Sequence, residues 1–225
     1  MASVKVVVFP GTNCDQDIVN VYQYKLGISV ERVWHRETEI GHCDLVVLPG
    51  GFSYGDYLRC GALAKISPIM KGIKSFAEKG GKVLGICNGF QILCEVGLLP
   101  GVLLPNIGRK FLSRDVFIRV ESSNTYFTNG LKEGEVIKVP IAHFEGNYFT
   151  DNLESLKERE QIVFTYCTSD GEVNVDDRLF NPNGSLGAVA GVCNAEGNVL
   201  GMMPHPERPL EGLYWSNSAL KLFAL

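Results

Sequence analysis

The sequence predicts an α/β protein: a mostly parallel central sheet flanked by helices, with an antiparallel portion added. Three observations support this. Up to Gly97, short apolar runs alternate with stretches of helical period. Past Pro100 the texture shifts to short strand candidates separated by Asn, Gly and Asp turns. No repeat, low-complexity tract or linker interrupts the 225 residues, so a single domain is expected over residues 1–225.

Val4 to Phe9 is an apolar run stopped by Pro10-Gly11, the pattern of a buried parallel strand. Asn13 or Asp15 can cap a following helix, with Ile18, Val19, Tyr22 and Leu26 on one face and Gly27 at its end. Ser29 to Trp34 is the second strand, so a β-α-β unit opens the chain. Asp44 to Leu48 is the third, and it runs into Pro49-Gly50-Gly51. A glycine pair directly after a strand leaves N–H groups unshielded, which suits an oxyanion hole and equally an ordinary strand-to-helix turn. No Gly-Lys-Ser/Thr follows, so the stretch is not a phosphate-binding loop. Gly61 to Lys79 carries Leu63, Ile66, Ile69, Met70, Ile73, Phe76 and Ala77 near helical period, and Gly80-Gly81 ends it.

The next strand, Val83 to Ile86, meets Cys87, and helix-compatible residues follow from Asn88 to Val96. Gly85 and Gly89 stand two residues either side of the cysteine, giving Gly-x-Cys-x-Gly, the sulfur counterpart of the nucleophile elbow. Side chains at those two positions would collide with the adjoining strand and helix, and the helix N-terminus favours thiolate over thiol.

Beyond Pro100, strands are expected at Phe117–Val120, Tyr126–Phe127, Val136–Val139, Ile162–Cys167, Ala188–Cys193 and Val199–Met203. Asn183-Gly184 and Glu196-Gly197-Asn198 read as tight turns, the latter closing a hairpin. Asn152 to Gln161 and Ser216 to Ala224 read as helices.

Bulk properties exclude several classes. A net charge of −4, with no Lys/Arg run, argues against sequence-independent nucleic-acid binding. The seven cysteines are scattered, with no Cys-x-x-Cys pair of metal-ligand spacing, so no metal site is expected. Free thiols and the lack of a secretory leader pattern point to a reducing cytoplasm. No apolar run reaches the roughly 18 residues of a membrane span, so no membrane association is expected.

A cysteine nucleophile needs a histidine to take its proton and a third group to orient that histidine. His35 and His42 lie among charged residues of the early β-α-β region. His143-Phe-Glu145 and His205-Pro-Glu207 each place a carboxylate two residues on, where an extended backbone points both side chains to one side. Pro204 and Pro206 stiffen the second segment, and catalytic groups of α/β enzymes gather at strand carboxyl ends, so His205 is favoured while His143 stays open.

Gly85-Ile-Cys87-Asn-Gly89-Phe-Gln91, Pro49-Gly50-Gly51 and His205-Pro-Glu207, in that order, resemble the nucleophile, oxyanion and base motifs of the class I, triad-type glutamine amidotransferases. Gly51 to Arg59, Ile141 to Tyr148, Asn181 to Ser185 and Gly201 to Arg208 resemble, over essentially the full length, the glutaminase subunits of phosphoribosylformylglycinamidine synthase. The resemblance implies a flavodoxin-like α/β fold, a Cys87-His205-Glu207 triad and oxyanion donors at the amides of Gly51 and Asn88. By family position Gln91 contacts the glutamine substrate, and His143 lines its site. It further implies no cofactor in this chain. ATP and Mg would be bound by a partner synthetase subunit, usually with a small bridging subunit. Tyr54, Asp56, Arg59 and Arg208 would be candidates for the docking face or for relaying the partner's state to the glutaminase site.

Overall fold

The structure, a computed structural model, describes residues 2–210 and 215–225. In chain order it forms β1 (Ser3–Val8), α1 (Asp15–Val19), β2 (Ser29–Trp34), β3 (Leu45–Leu48), α2 (Ile69–Glu78), β4 (Lys82–Ile86) and α3 (Asn88–Glu95). There follow β5 (Val102–Leu104), β6 (Leu112–Val120), β7 (Val136–His143), β8 (Asn147–Phe149), α4 (Leu153–Glu158), β9 (Ile162–Cys167), β10 (Val189–Cys193), β11 (Val199–Met202) and α5 (Asn217–Lys221).

Among the described residues nine strands make one sheet, in the order β2-β1-β3-β4-β11-β10-β9-β6-β7, while β5 and β8 pair separately. From β2 to β11 the neighbours are parallel. From β11 to β7 they are antiparallel. The predicted class therefore holds, and the antiparallel portion extends the same sheet. Strands such as β3, which is all apolar, and β9, apolar but for Thr165 and the Tyr166 hydroxyl, are buried along their whole length, as strands covered on both faces must be. The last strand in sequence, β11, docks in the middle, with Val199 opposite Val83 and Met202 opposite Ile86. That insertion brings residues 204–208 beside the end of β4.

Local predictions fail where a competing force was overlooked. α-Helical bonding after β1 lasts only to Val19 and widens into a π-type turn over Asn20–Lys25. Cys14 precedes that helix without a side-chain cap, in place of the expected Asn13 or Asp15. The wider turn leaves Leu26 exposed, while Tyr22 is fully buried edge-on to Phe223, their rings 5.5 Å apart. The helix expected over Gly61 to Lys79 is split, because Pro68 keeps Ser67 extended (ψ 138°). Only Ile69–Glu78 is α-helical, and Ile66 is left in solvent. Tyr126–Phe127 is no strand, since the Thr125 hydroxyl accepts the amides of Phe127 and Thr128 and closes a turn instead. β7 runs on through Pro140 to His143; it is the edge strand, where a missing N–H can face outward. The β5–β8 pair was not anticipated.

Candidate active site

Cys87 leaves β4 with φ 51° and ψ −106°, a conformation rarely adopted by L-residues, and begins α3. Both flanking glycines are sterically required. A Cβ on Gly85 would lie 2.5 Å from Leu93 and 2.8 Å from the Gly89 backbone; one on Gly89 would lie 1.9 Å from the Leu48 carbonyl oxygen. The Cys87 amide donates to Met202 O at 2.8 Å, so the elbow is pinned to β11. Its thiol is nearly buried and donates to Ala142 O at 3.7 Å.

Past β11, His205 N–H donates to Pro140 O at 2.8 Å, and Arg208 N–H donates back to His205 O at 3.2 Å, closing a turn with Pro206 at its second position. That turn, in place of the expected extended segment, sets Glu207 Oε1 2.6 Å from His205 Nδ1, with both residues buried. Burial alone would lower the imidazole pKa, but the Glu207 and Cys87 charges outweigh it and raise it to about 10. Nδ1 is held by Glu207, and Nε2 has no acceptor or donor among the described residues. The second His-x-Glu is built differently: Glu145 Oε2 accepts the Cys60 amide at 3.2 Å, and His143 Nδ1 pairs with Asn106 Oδ1 at 3.1 Å.

Gly51 has φ +150°, and a Cβ there would lie 2.8 Å from Gly11 O and from Thr12 Cα. It forms an antiparallel bridge with Thr12 in which the bonds are made by its neighbours, Phe52 N–H to Gly11 O (2.9 Å) and Asn13 N–H to Gly50 O (3.4 Å). Gly51 N–H and Asn88 N–H therefore have no acceptor among the described residues. The Asn88 side chain accepts from Ser53 N–H (3.1 Å) and donates to Gln91 Oε1 (2.9 Å), and Gln91 Nε2 donates to Glu145 O (2.6 Å). Gln91 thus braces the elbow against the β7–β8 turn with both ends of its amide engaged.

Asn106 fixes the state of His143. Its amide nitrogen donates to His143 O and Lys110 O, while its oxygen accepts Gly146 N–H at 3.0 Å. That oxygen must also accept from Nδ1–H, which leaves Nε2 a bare acceptor, buried and unpaired. Burial, helped by the charge on His205, lowers the His143 pKa to about 3, so the ring is neutral at ordinary pH. Asn183 and Ser185, from the Asn-Pro-Asn-Gly-Ser motif, both donate to Gly146 O beneath this ring.

Sequence reasoning missed Cys14. Its sulfur, His205 and Glu207 offer ligand-type atoms all within 4.8 Å of one another. Burial, then the nearby Glu207 charge, pushes this thiol up to about 12, so it stays protonated at neutral pH and does not compete with Cys87 as nucleophile. The usable signal was its place in a Gly-Thr-Asn-Cys loop at the carboxyl end of a parallel strand. The Tyr54 hydroxyl is engaged with His35 Nδ1 and Ser67 Oγ, each at 2.8 Å, while its ring stays half-buried. Tyr57 and Leu58, exposed to 74% and 87%, stand out instead.

Among the described residues no helix is long and apolar enough to cross a membrane. A profile of the CobB/CobQ-like glutamine amidotransferase domain matches residues 1–221. The chain is 52% identical over 225 residues to a Synechocystis sp. protein named phosphoribosylformylglycinamidine synthase subunit PurQ, with 99% of each covered. It is 51% identical over 221 residues to the subunit of the same name from Moorella thermoacetica, covering 97% of this chain and 92% of that one. It superposes on a chain in the structure of PurLQS from Thermotoga maritima with a TM-score of 0.85 and 40% identity, covering 99% and 95%.

Proposed function

Because this chain belongs to the CobB/CobQ-like glutamine amidotransferase family, we propose that it is the glutaminase subunit of phosphoribosylformylglycinamidine synthase in purine biosynthesis. It works with a synthetase subunit and a small bridging subunit, to which it supplies ammonia from glutamine. The observation that carries the chemistry is the buried His205 ring, tied to Glu207 on one nitrogen and set beside Cys87.

Cys87 Sγ attacks the glutamine carboxamide carbon as the sulfur anion of an ion pair whose proton is already held on His205 Nε2, in keeping with the raised pKa of that ring. The oxyanion that forms is met by the free amides of Gly51 and Asn88. His205 returns the proton to the leaving nitrogen, ammonia departs, and a γ-glutamyl thioester remains. Water, deprotonated by the same ring, hydrolyses it to glutamate and restores the ion pair. Glu207 keeps Nδ1 protonated and balances the imidazolium. His143 Nε2, a buried bare acceptor, receives an N–H from the substrate, and Gln91 holds the wall on that side. ATP and Mg are bound by the synthetase. The cytoplasm is the expected compartment, in keeping with seven free cysteines.

The test is glutamate release by wild type and Cys87→Ala, each with and without the cognate synthetase, ATP and formylglycinamide ribonucleotide. Strong stimulation of wild type by the full mixture and a silent variant support the whole reading. Glutaminase activity indifferent to that synthetase removes the pathway assignment, and an active Cys87→Ala removes the nucleophile.

A further inference from the structure

The loop after β1 and the loop after β3 are interlocked. Besides the two bonds around the Thr12–Gly51 bridge, Cys14 N–H donates to Gly50 O at 3.2 Å and Tyr54 N–H donates to Pro10 O at 2.6 Å. The crossing is so close that a Cβ on Gly11 would stand 2.2 Å from Phe52 O.

One of these contacts determines where the Gly51 amide points. Gly50 C=O and Gly51 N–H belong to a single planar trans peptide, so they face opposite ways. The amides of Asn13 and Cys14 grip the carbonyl on one side; the N–H is thereby turned to the other. Were the grip lost, a Gly-Gly peptide would rotate readily, because neither residue carries a Cβ to resist it.

Cys14 is in turn anchored through its side chain. Arg208 Nη2 donates to Cys14 Sγ at 2.8 Å, and the thiol donates to Asn13 Oδ1 at 3.1 Å. Arg208 Nε reaches Asp17 Oδ2 at 3.4 Å, so the guanidinium spans the sulfur and the first turn of α1. A Cβ built on Gly50 would touch Cys14 Sγ at 2.9 Å and His205 Cε1 at 2.8 Å, which places the thiol against the edge of the base itself. A high pKa keeps Cys14 a neutral thiol, able to donate and accept at once.

Building on the glutaminase reading with Gly51 as an oxyanion donor, we propose that Arg208 and Cys14 are positioning residues that hold the Gly50–Gly51 peptide in its donating orientation and tie it to the segment carrying His205. Neither touches the reacting atoms. Cys14 is the joint, with its sulfur bonded to Arg208 and its amide to Gly50.

The test is glutamine hydrolysis in the assembled complex with the synthetase, by wild type, Arg208→Ala, Arg208→Lys, Cys14→Ala and the Arg208→Ala/Cys14→Ala double variant. Thermal unfolding checks that each variant is folded. Loss of one oxyanion donor lowers kcat by about 10²–10³-fold, so a donor that is mispositioned part of the time lowers it roughly 10- to 100-fold, with KM for glutamine within about 3-fold. The double variant falls no further than the worse single one, because both act on the same peptide. Arg208→Lys, which keeps the charge but cannot bridge Cys14 and Asp17, lies between wild type and Arg208→Ala. Alkylation of Cys87 by iodoacetamide, which needs no oxyanion hole, stays within about 2-fold throughout. Unchanged kcat in both single variants, multiplicative losses in the double variant, or alkylation falling in step with kcat overturns the proposal. Failure of the underlying reading has a separate sign: Cys87→Ala then remains active.

Discussion

Single groups set the chemistry, and two histidines of opposite character make it testable. Cys87→Ala is expected to keep the fold while glutamate release drops by at least about 10³-fold, as for loss of a triad nucleophile; steady-state assay of the complex checks this. His205 lies above its ordinary 6.5 in the folded protein, so its contribution to stability is complete below about pH 6.5 and disappears as pH rises through about 10. Glu207→Gln removes the nearest opposing charge, and NMR titration of the ring should show its pKa falling; an unchanged value would refute the role of Glu207. His143 has the reverse sign. Between pH 6.5 and about 3 the unfolded chain binds a proton that the buried ring refuses, so stability declines as pH drops across that window. Urea titrations of wild type and His143→Gln at about pH 7 and about pH 5 should show a smaller acid loss in the variant. The His143 and His205 motifs look alike in sequence because both read His-x-Glu. They part in structure because Pro206 folds Glu207 back onto the ring, while Glu145 turns to the Cys60 amide.

At the scale of the element, the elbow was readable because its determinants lie within eight residues: an apolar strand, two glycines and a helix start. Gly89→Ala drives a methyl to 1.9 Å from the Leu48 carbonyl, a backbone atom that cannot step aside. A loss of about 3 kcal/mol or more is expected, lowering Tm by roughly 6–12 °C. Gly80→Ala serves as the contrast in the same melting experiment. Its φ of +85° costs about 1 kcal/mol, but nothing lies within 4 Å, so the decrease should be a few degrees. The helices before and after β3 were misread for local reasons, since π-type winding and the Ser67-Pro68 break both override a periodicity that looked continuous.

Across the whole molecule, the carboxyl ends of β3, β4 and β11 meet because β11 inserts beside β4, which brings Gly51, Cys87 and His205 together from positions far apart in sequence. Next to that confluence Tyr57 and Leu58 project into solvent from a loop in which Tyr54, Asp56 and Leu58 all have positive φ. Such a loop is held by its anchors and presents apolar side chains to solvent. Leu58→Asp should weaken assembly with the synthetase by about tenfold or more, read by sedimentation or calorimetry, with the Tm of the free subunit unchanged. Equal affinity would move the docking face elsewhere. The sequence by itself determined the α/β class, the strand-cysteine-helix elbow and the glycine pair after the third strand, because each depends on periodicity or on steric demands between near neighbours. Only the tertiary structure decided that Glu207 reaches His205 through a turn at Pro206, that Asn106 leaves one nitrogen of His143 bare, and that Cys14 and Arg208 stand behind the Gly50–Gly51 peptide. Those relations join residues up to 194 positions apart, and no local preference of the chain encodes which strand lies beside which.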